Sequence, residues 1–234
     1  MSKDTPIIIN NRDRVTSLCR LISWLLEAGH TNITVLDNDS SYPPLLEYYE
    51  TLDGLVTVAP LAKNLGSKAV WVWSESTKCV KSPFVYTDSD IVPTEECPKD
   101  LIDFLIRVSE RFGSPNKVGV GLKIDDLPDC YAKKDWVCQW ESQYWDKKVG
   151  EMDGVPIYSA FVDTTFALYP EFKLFSLHGI RTGPPYTARH VPWYVDSANP
   201  SEEDLYYERH ASRSFHNWGI NECHSKAVRN KCER

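Results

Sequence analysis

The chain has 234 residues, 26 Lys and Arg against 33 Asp and Glu, a formal net charge of −7 and 42% hydrophobic residues. That size and balance suit a folded globular protein and exclude a disordered one. They also disfavour nucleic acid as a partner, because holding a polyanion draws on a surplus of Lys and Arg.

No apolar run approaches the roughly 18 residues of a membrane span, and no signal-peptide core follows Met1, so a cytoplasmic protein is expected. Seven scattered cysteines with no C-x-x-C spacing indicate reduced thiols rather than a disulfide framework or zinc site. His216, Cys223 and His224 match no standard zinc spacing either.

Pro6 to Asn10 is a short apolar run that meets polar Asn10 and Asn11, the pattern of a buried strand entering a loop. Asp13 is placed to cap a helix with the apolar face Val15, Leu18, Cys19, Ile22, Leu25 and Leu26, closing at Gly29. Ile33 to Leu36 reads as a second buried strand, with Asp37, Asn38, Asp39 and Ser40 at its carboxyl end. A helix over Leu45 to Thr51, strands over Gly54 to Val58 and Pro83 to Thr87, a helix over Pro98 to Phe112 and a strand over Lys117 to Lys123 follow. This alternation predicts βαβ units and a mostly parallel sheet flanked by helices.

The second half is rich in Trp, Tyr and Pro. Helical signal is strongest over Trp136 to Lys148, Phe161 to Leu168 reads as a strand that contains Asp163, and Ser201-Glu202-Glu203-Asp204 starts a helix running through Phe215. No Gly/Ser linker separates the halves, so one domain with two functional lobes is expected, residues 5–125 and 126–234.

In parallel sheets ligands bind beyond the carboxyl ends of the strands, which directs attention to Asn10, Asn11, Asp37, Asp88 and Asp90. Tyr86-Thr87-Asp88-Ser89-Asp90 carries two carboxylates spaced i, i+2 where a strand runs out. Hard oxygen ligands there suit Mg²⁺ or Mn²⁺ bridging phosphates, although a bare D-x-D also fits an ordinary capped loop. Asp163, lying between apolar neighbours, is a candidate functional carboxylate or a partner of Thr164 and Thr165.

Several blocks together resemble a known family. They are Asn10-Asn11-Arg12-Asp13-Arg14, Val35 to Ser40, Asn64 to Ala69 and Asp88-Ser89-Asp90, then Gly121 to Asp129, Trp140-Glu141, Phe161 to Tyr169 and Arg181 to Tyr194. The chain so resembles family-2-like GT-A glycosyltransferases, a group taking in small bacterial transferases and the N-terminal domain of a chlorella-virus protein. The resemblance implies a two-lobed α/β/α domain that binds a nucleotide-sugar donor, UDP-linked, through a divalent ion, Mn²⁺ or Mg²⁺. A glycan or glycoprotein hydroxyl is the implied acceptor.

By the same resemblance Asp37 contacts the uracil or ribose, with Asp39 able to share its role, and Asn10 and Arg12 line the nucleotide pocket. Asp88 faces the ribose or metal, Asp90 ligates the metal, and His190 is the matching late histidine. Arg12, Arg14, Lys68 and Arg181 are candidate phosphate contacts. The catalytic carboxylate is Asp163, Asp125 or Asp126; Glu141 reads as structural. Trp136, Trp140, Trp145, Trp193 and Tyr194 are candidate sugar-stacking surfaces. Two other readings stay open: a nucleotidyltransferase making nucleotide sugars, against which the lack of a glycine-rich basic N-terminal loop counts, and a non-catalytic carbohydrate-binding protein.

Overall fold

The computed structural model describes residues 2–73 and 80–211. The strands are β1 (Ile7–Asn11), β2 (Ile33–Asp37), β3 (Thr57–Pro60), β4 (Phe84–Asp88), β5 (Ile91–Pro93), β6 (Val118–Leu122), β7 (Lys148–Met152), β8 (Val155–Phe161), β9 (Ala167–Tyr169) and β10 (His178–His190). The helices are α1 (Thr16–Glu27), α2 (Pro43–Glu50), α3 (Ala69–Val72), α4 (Leu101–Arg111), α5 (Lys134–Ser142) and α6 (Glu202–His210). Among the described residues none of these helices is long and apolar enough to cross a membrane.

All ten strands join one mixed sheet in the order β3-β2-β1-β4-β9-β6-β10-β8-β7, with β5 paired to β10. Helices flank it, as the alternating pattern of the first half predicts. β1, β2, β3 and β4 are parallel neighbours, and β6 and β10 are parallel to each other. Short β9 runs antiparallel between β4 and β6, so strands from both halves of the sequence interleave. The continuous apolar runs of β1, β4 and β6 explain their central position, since such strands bury both faces.

Two cores result. Leu18, Leu21, Ile22 and Leu25 of α1 and Leu101, Phe104, Leu105 and Val108 of α4 cover one face of the sheet. Val70, Phe84, Tyr86, Val162 and Tyr169 form a smaller cluster on Ile8 and Leu36.

Five local expectations differ from the fold. Asp13 does not cap α1: its φ is +50°, and its carboxylate accepts the amides of Ser41 (2.7 Å) and Tyr42 (2.9 Å). The start of α1 is capped by Glu203, which accepts from the Thr16 amide (3.0 Å) and hydroxyl (2.8 Å). Cys19, placed on the apolar face by spacing, is exposed; among the described residues it and Cys97, Cys130 and Cys138 are free thiols.

The third strand begins at Thr57, after a turn that uses Gly54 at φ +73°. The helix expected to reach Lys148 stops at Ser142 and gives way to a short 3-10 turn and then β7. The single strand expected over Phe161 to Leu168 is the end of β8, a connector over residues 162–166, and the start of β9. Ser201 and Asp204 do form a capping box, while the expected continuation of α6 to Phe215 lies outside the described residues, as do His216, Cys223 and His224.

Candidate active site

β1, β2 and β4 end in register, which sets Asn10 beside Asp88 and Asn11 beside Asp37. The chain then turns through Ser89 and Asp90 into β5, which pairs antiparallel with the end of β10, Ile91 opposite His190. That pairing, closed by the Val191 amide donating to the Asp90 carbonyl (2.8 Å), brings His190 Nε2 to 3.5 Å from Asp90 Oδ2. Residues about 100 apart in sequence thus meet at one edge of the sheet.

Asp88 accepts hydrogen bonds from Asn10 Nδ2 (3.0 Å) and from the Thr164 hydroxyl, and its amide donates to the Thr164 carbonyl (2.9 Å). Burial, and then the neighbouring charge of Asp90, push the Asp88 carboxyl well above the usual range. Burial works against the charge of Asp90 as well, but His190 and Arg14 hold it below its ordinary value. Among the described residues no three His, Cys, Asp or Glu side chains converge as a ready-made metal cage. Asp88, Asp90 and His190 nonetheless offer the hard and borderline donors that a divalent ion takes when phosphates and water complete its shell.

Asp37 is buried, and burial raises its pKa against hydrogen bonds from Ser40 and Tyr49. The side-chain oxygens of Asn10 and Asn11 are buried without a partner. Buried acceptors without donors are costly, and here they sit at adjoining strand ends. Asn38 ties two of the sequence blocks together: its Oδ1 accepts the Leu65 amide (2.7 Å) and its Nδ2 donates to the Gly66 carbonyl (3.0 Å). Asp39 is exposed with φ +65°.

α6 packs against this edge. Arg14 pairs with Asp204 (2.7 Å) and lies 4.0 Å from the Tyr207 ring; Arg12 reaches the His210 carbonyl (3.4 Å). The Tyr206 ring lies tilted against Tyr42 (4.7 Å), and its hydroxyl donates to Ser41 (3.1 Å). Nothing in local spacing announces these contacts; the only sequence signal is the acidic run Glu202-Glu203-Asp204, which supplies both anchoring carboxylates.

Asp163 is exposed, in the 162–166 connector rather than within a strand. It is close enough to Asp88 for their charges to interact. Sequence reasoning missed Lys117, which is completely buried, donates to the Asp163 carbonyl (3.3 Å) and Tyr169 hydroxyl (3.2 Å), and faces the Phe175 ring (4.1 Å). Its signal is a lysine abutting the apolar run Val118 to Leu122. Lys68 is exposed at the start of α3, 4.4 Å from the same Phe175 ring.

The structure places other candidates elsewhere. Asp125 pairs with Lys123 (2.9 Å). Asp126 pairs with Arg189 (2.7 Å), accepts from the Tyr194 hydroxyl and lines a surface hollow of about 280 Å³ with Arg20 and Val191. Arg181 is buried against Glu141 and donates to the Phe161 carbonyl (2.8 Å), so it is a framework residue, as read for Glu141. Trp193 is buried with its ring 4.7 Å from His190, Trp145 packs edge-on to Tyr158, and Trp136 and Trp140 are half-buried and parallel at 6.1 Å.

No family model matches the chain, and no curated protein matches it. Among solved structures it is similar to S. aureus TarS 1–349, at 14% identity over 56% of this chain and 40% of that one, with a TM-score of 0.39. It is also similar to GalNAc-T7 crystallised with UDP, GalNAc and Mn²⁺, at 14% identity over 44% of this chain and 21% of that one, TM-score 0.30. An apo UDP-glucose pyrophosphorylase aligns at 10% identity over 88% of this chain and 99% of that one, TM-score 0.43. The chain thus spans less than half the length of TarS and GalNAc-T7.

Proposed function

We propose that the chain is a divalent-metal-dependent glycosyltransferase that moves a sugar from a nucleotide donor, UDP-linked, to a hydroxyl of a glycan or glycoprotein. The observation that carries this reading is the pair Asp88 and Asp90 at the end of β4, two carboxylates that oppose each other's charge at a strand-end edge. A divalent ion relieves that opposition, and Asp90 with Asp88 and His190 would hold it. Bound there, Mn²⁺ or Mg²⁺ supplies positive charge opposite the diphosphate leaving group. The partnerless oxygens of Asn10 and Asn11 favour a ligand bearing N–H and O–H donors over a bare anion.

In this reading Asp37 and Asn10 bind the nucleoside, with Asp39 at the rim, and Arg12, Arg14 and Lys68 approach the diphosphate. Thr164 holds Asp88, and the neighbouring Asp163, exposed beside it, takes the proton from the acceptor hydroxyl. Asp125 and Asp126 are already paired with Lys123 and Arg189, which favours Asp163 as the base.

Calorimetry tests the reading. UDP should bind in the presence of Mn²⁺, lose affinity on chelation, and lose it in Asp90→Ala. Binding of free glycan with no nucleotide or metal requirement would sink the proposal. A nucleotide-sugar screen with Mn²⁺ then identifies the donor; turnover of a nucleoside triphosphate with a sugar phosphate would instead move the protein to the nucleotidyltransferases.

A further inference from the structure

Tyr49, near the end of α2, sits between the last residues of β1 and β2. Its hydroxyl accepts from Asn11 Nδ2 (2.9 Å) and donates to Asp37 Oδ1 (3.1 Å). With Asp37 ionised, the direction of this chain follows: the carboxylate only accepts, and a phenol has one proton to give, so that proton goes to Asp37. Asn11 must then turn its amide nitrogen toward Tyr49, which leaves its Oδ1 without a partner.

Ser40 reinforces the same polarity. Its oxygen accepts the Asp13 amide (3.0 Å), and its hydroxyl supports the Asp37 carboxylate. The Tyr49 and Ser40 hydroxyls thus both support Asp37 as an acceptor. The sequence does not announce Tyr49, because its partners lie 12 and 38 residues away.

We propose that Tyr49 is a positioning residue that, through the Asn11–Tyr49–Asp37 chain, fixes Asp37 as an acceptor and restricts this end of the site to a ligand edge that presents hydrogen-bond donors. This rests on the nucleotide-sugar reading and deepens it. Such an edge comes from one of two sources: the ring N–H of uracil or guanine, or the ribose diol. Cytosine and adenine carry an acceptor where uracil and guanine carry that N–H, and a 2′-deoxyribose lacks half of the diol. When the Tyr49 hydroxyl is removed, Asn11 is free to rotate and offer its own N–H, so the polarity that enforces the choice is lost.

The test is Tyr49→Phe, which keeps the ring and deletes only the hydroxyl. Calorimetry with excess Mn²⁺ compares UDP, GDP, CDP, ADP and 2′-deoxy-UDP on wild type and variant. Wild type should favour UDP or GDP over CDP and ADP by about tenfold or more if the base is read, or UDP over its deoxy analogue by that margin if the ribose is read. In Tyr49→Phe that ratio should fall to about threefold or less. Near-UV circular dichroism checks that the variant is folded, and the Asn11 side-chain amide protons should exchange faster with solvent once their acceptor is gone.

A ratio unchanged in the folded variant overturns the proposal, and so does a wild type that binds all five alike; both leave the nucleotide reading standing. A wild type that binds none of the five removes the nucleotide reading, and this proposal with it.

Discussion

Two groups of carboxylates stand beyond strand ends in this protein, and they differ in how their charge is met. In and around the hollow at the end of β10, Arg189 bridges Glu95 and Asp126, Tyr194 donates to Asp126, and Lys123 pairs with Asp125. Arg189 holds Glu95 below its ordinary pKa, and Tyr194 with Arg189 does so for Asp126 in spite of burial. At the end of β4, by contrast, His190 and Arg14 hold Asp90 low, with Arg14 also paired to Asp204, while burial and the charge of Asp90 push Asp88 well up. The acids around the more obvious hollow are paired with basic side chains, whereas Asp88 is held by the neutral donors Asn10 and Thr164 and is the carboxylate that asks for a ligand. A depression lined with acids is weaker evidence of function than acids whose charge the fold has not answered.

If that contrast holds, breaking an answered charge should cost stability, and breaking an unanswered one should cost binding. The largest expected effect is therefore in the framework. Glu141→Ala leaves Arg181 buried without its counter-charge and should destabilise the fold by about 3–5 kcal/mol, measured by urea unfolding. A loss below about 1 kcal/mol would show that water reaches Arg181 and that the pair is not a framework element.

Next is the pair that sharpens the contrast directly. Asp90→Ala should weaken Mn²⁺-dependent UDP binding by about 100-fold or more, while Asp126→Ala changes it by about threefold or less. Inverted results in calorimetry would place the ligand in the Arg189 hollow and reverse the comparison.

Much of this could be read from the sequence, for identifiable reasons. β1, β2, β4 and β6 are mostly apolar, buried runs, and their carboxyl ends are where a parallel sheet presents ligands, so Asn10, Asp37, Asp88 and Asp90 stand out. The antiparallel flank was not legible. β7 is mostly exposed, β8 carries Pro156, and β10 is interrupted by Gly183, Pro184 and Pro185, so neither alternation nor a continuous apolar run marks them.

Long-range partners were hidden for a different reason. The helix-cap pattern around Asp13 is sound locally, but the tertiary fold gives that carboxylate to Ser41 and Tyr42 and lets Glu203, nearly 190 residues away, cap α1. The same blindness hid Tyr49 and Lys117, whose roles exist only once several elements are assembled.

Lys117 extends the comparison from acids to bases. Burial lowers its pKa from 10.5 to about 7 despite the nearby Asp163 charge. Between those two values the unfolded chain keeps a proton that the folded chain has released, so stability contributed by this group rises with pH, by up to about 1.4 kcal/mol per unit. Below about pH 7 both states are protonated and the slope disappears. Relative to Lys117→Met, wild type should therefore gain stability as pH climbs from 7 toward 10, measured by unfolding at several pH values. A difference that stays flat across that window would mean that Lys117 keeps its charge in the fold.

The smallest expected effect concerns the attachment of α6. Glu203 accepts both the amide and the hydroxyl of Thr16, so its carboxylate does at the start of α1 what a local cap residue does elsewhere. Glu203→Ala should cost about 1 kcal/mol of stability, with Glu202→Ala, an exposed neighbour in the same first turn, as the reference. Hydrogen exchange adds a spatial readout: protection should fall at the first amides of α1 and along α6 together, because one carboxylate joins them. Loosening of α6 alone, with the Thr16 amide still protected, would mean that α1 is capped by another group and that the contact serves only to hold α6 against the strand-end edge.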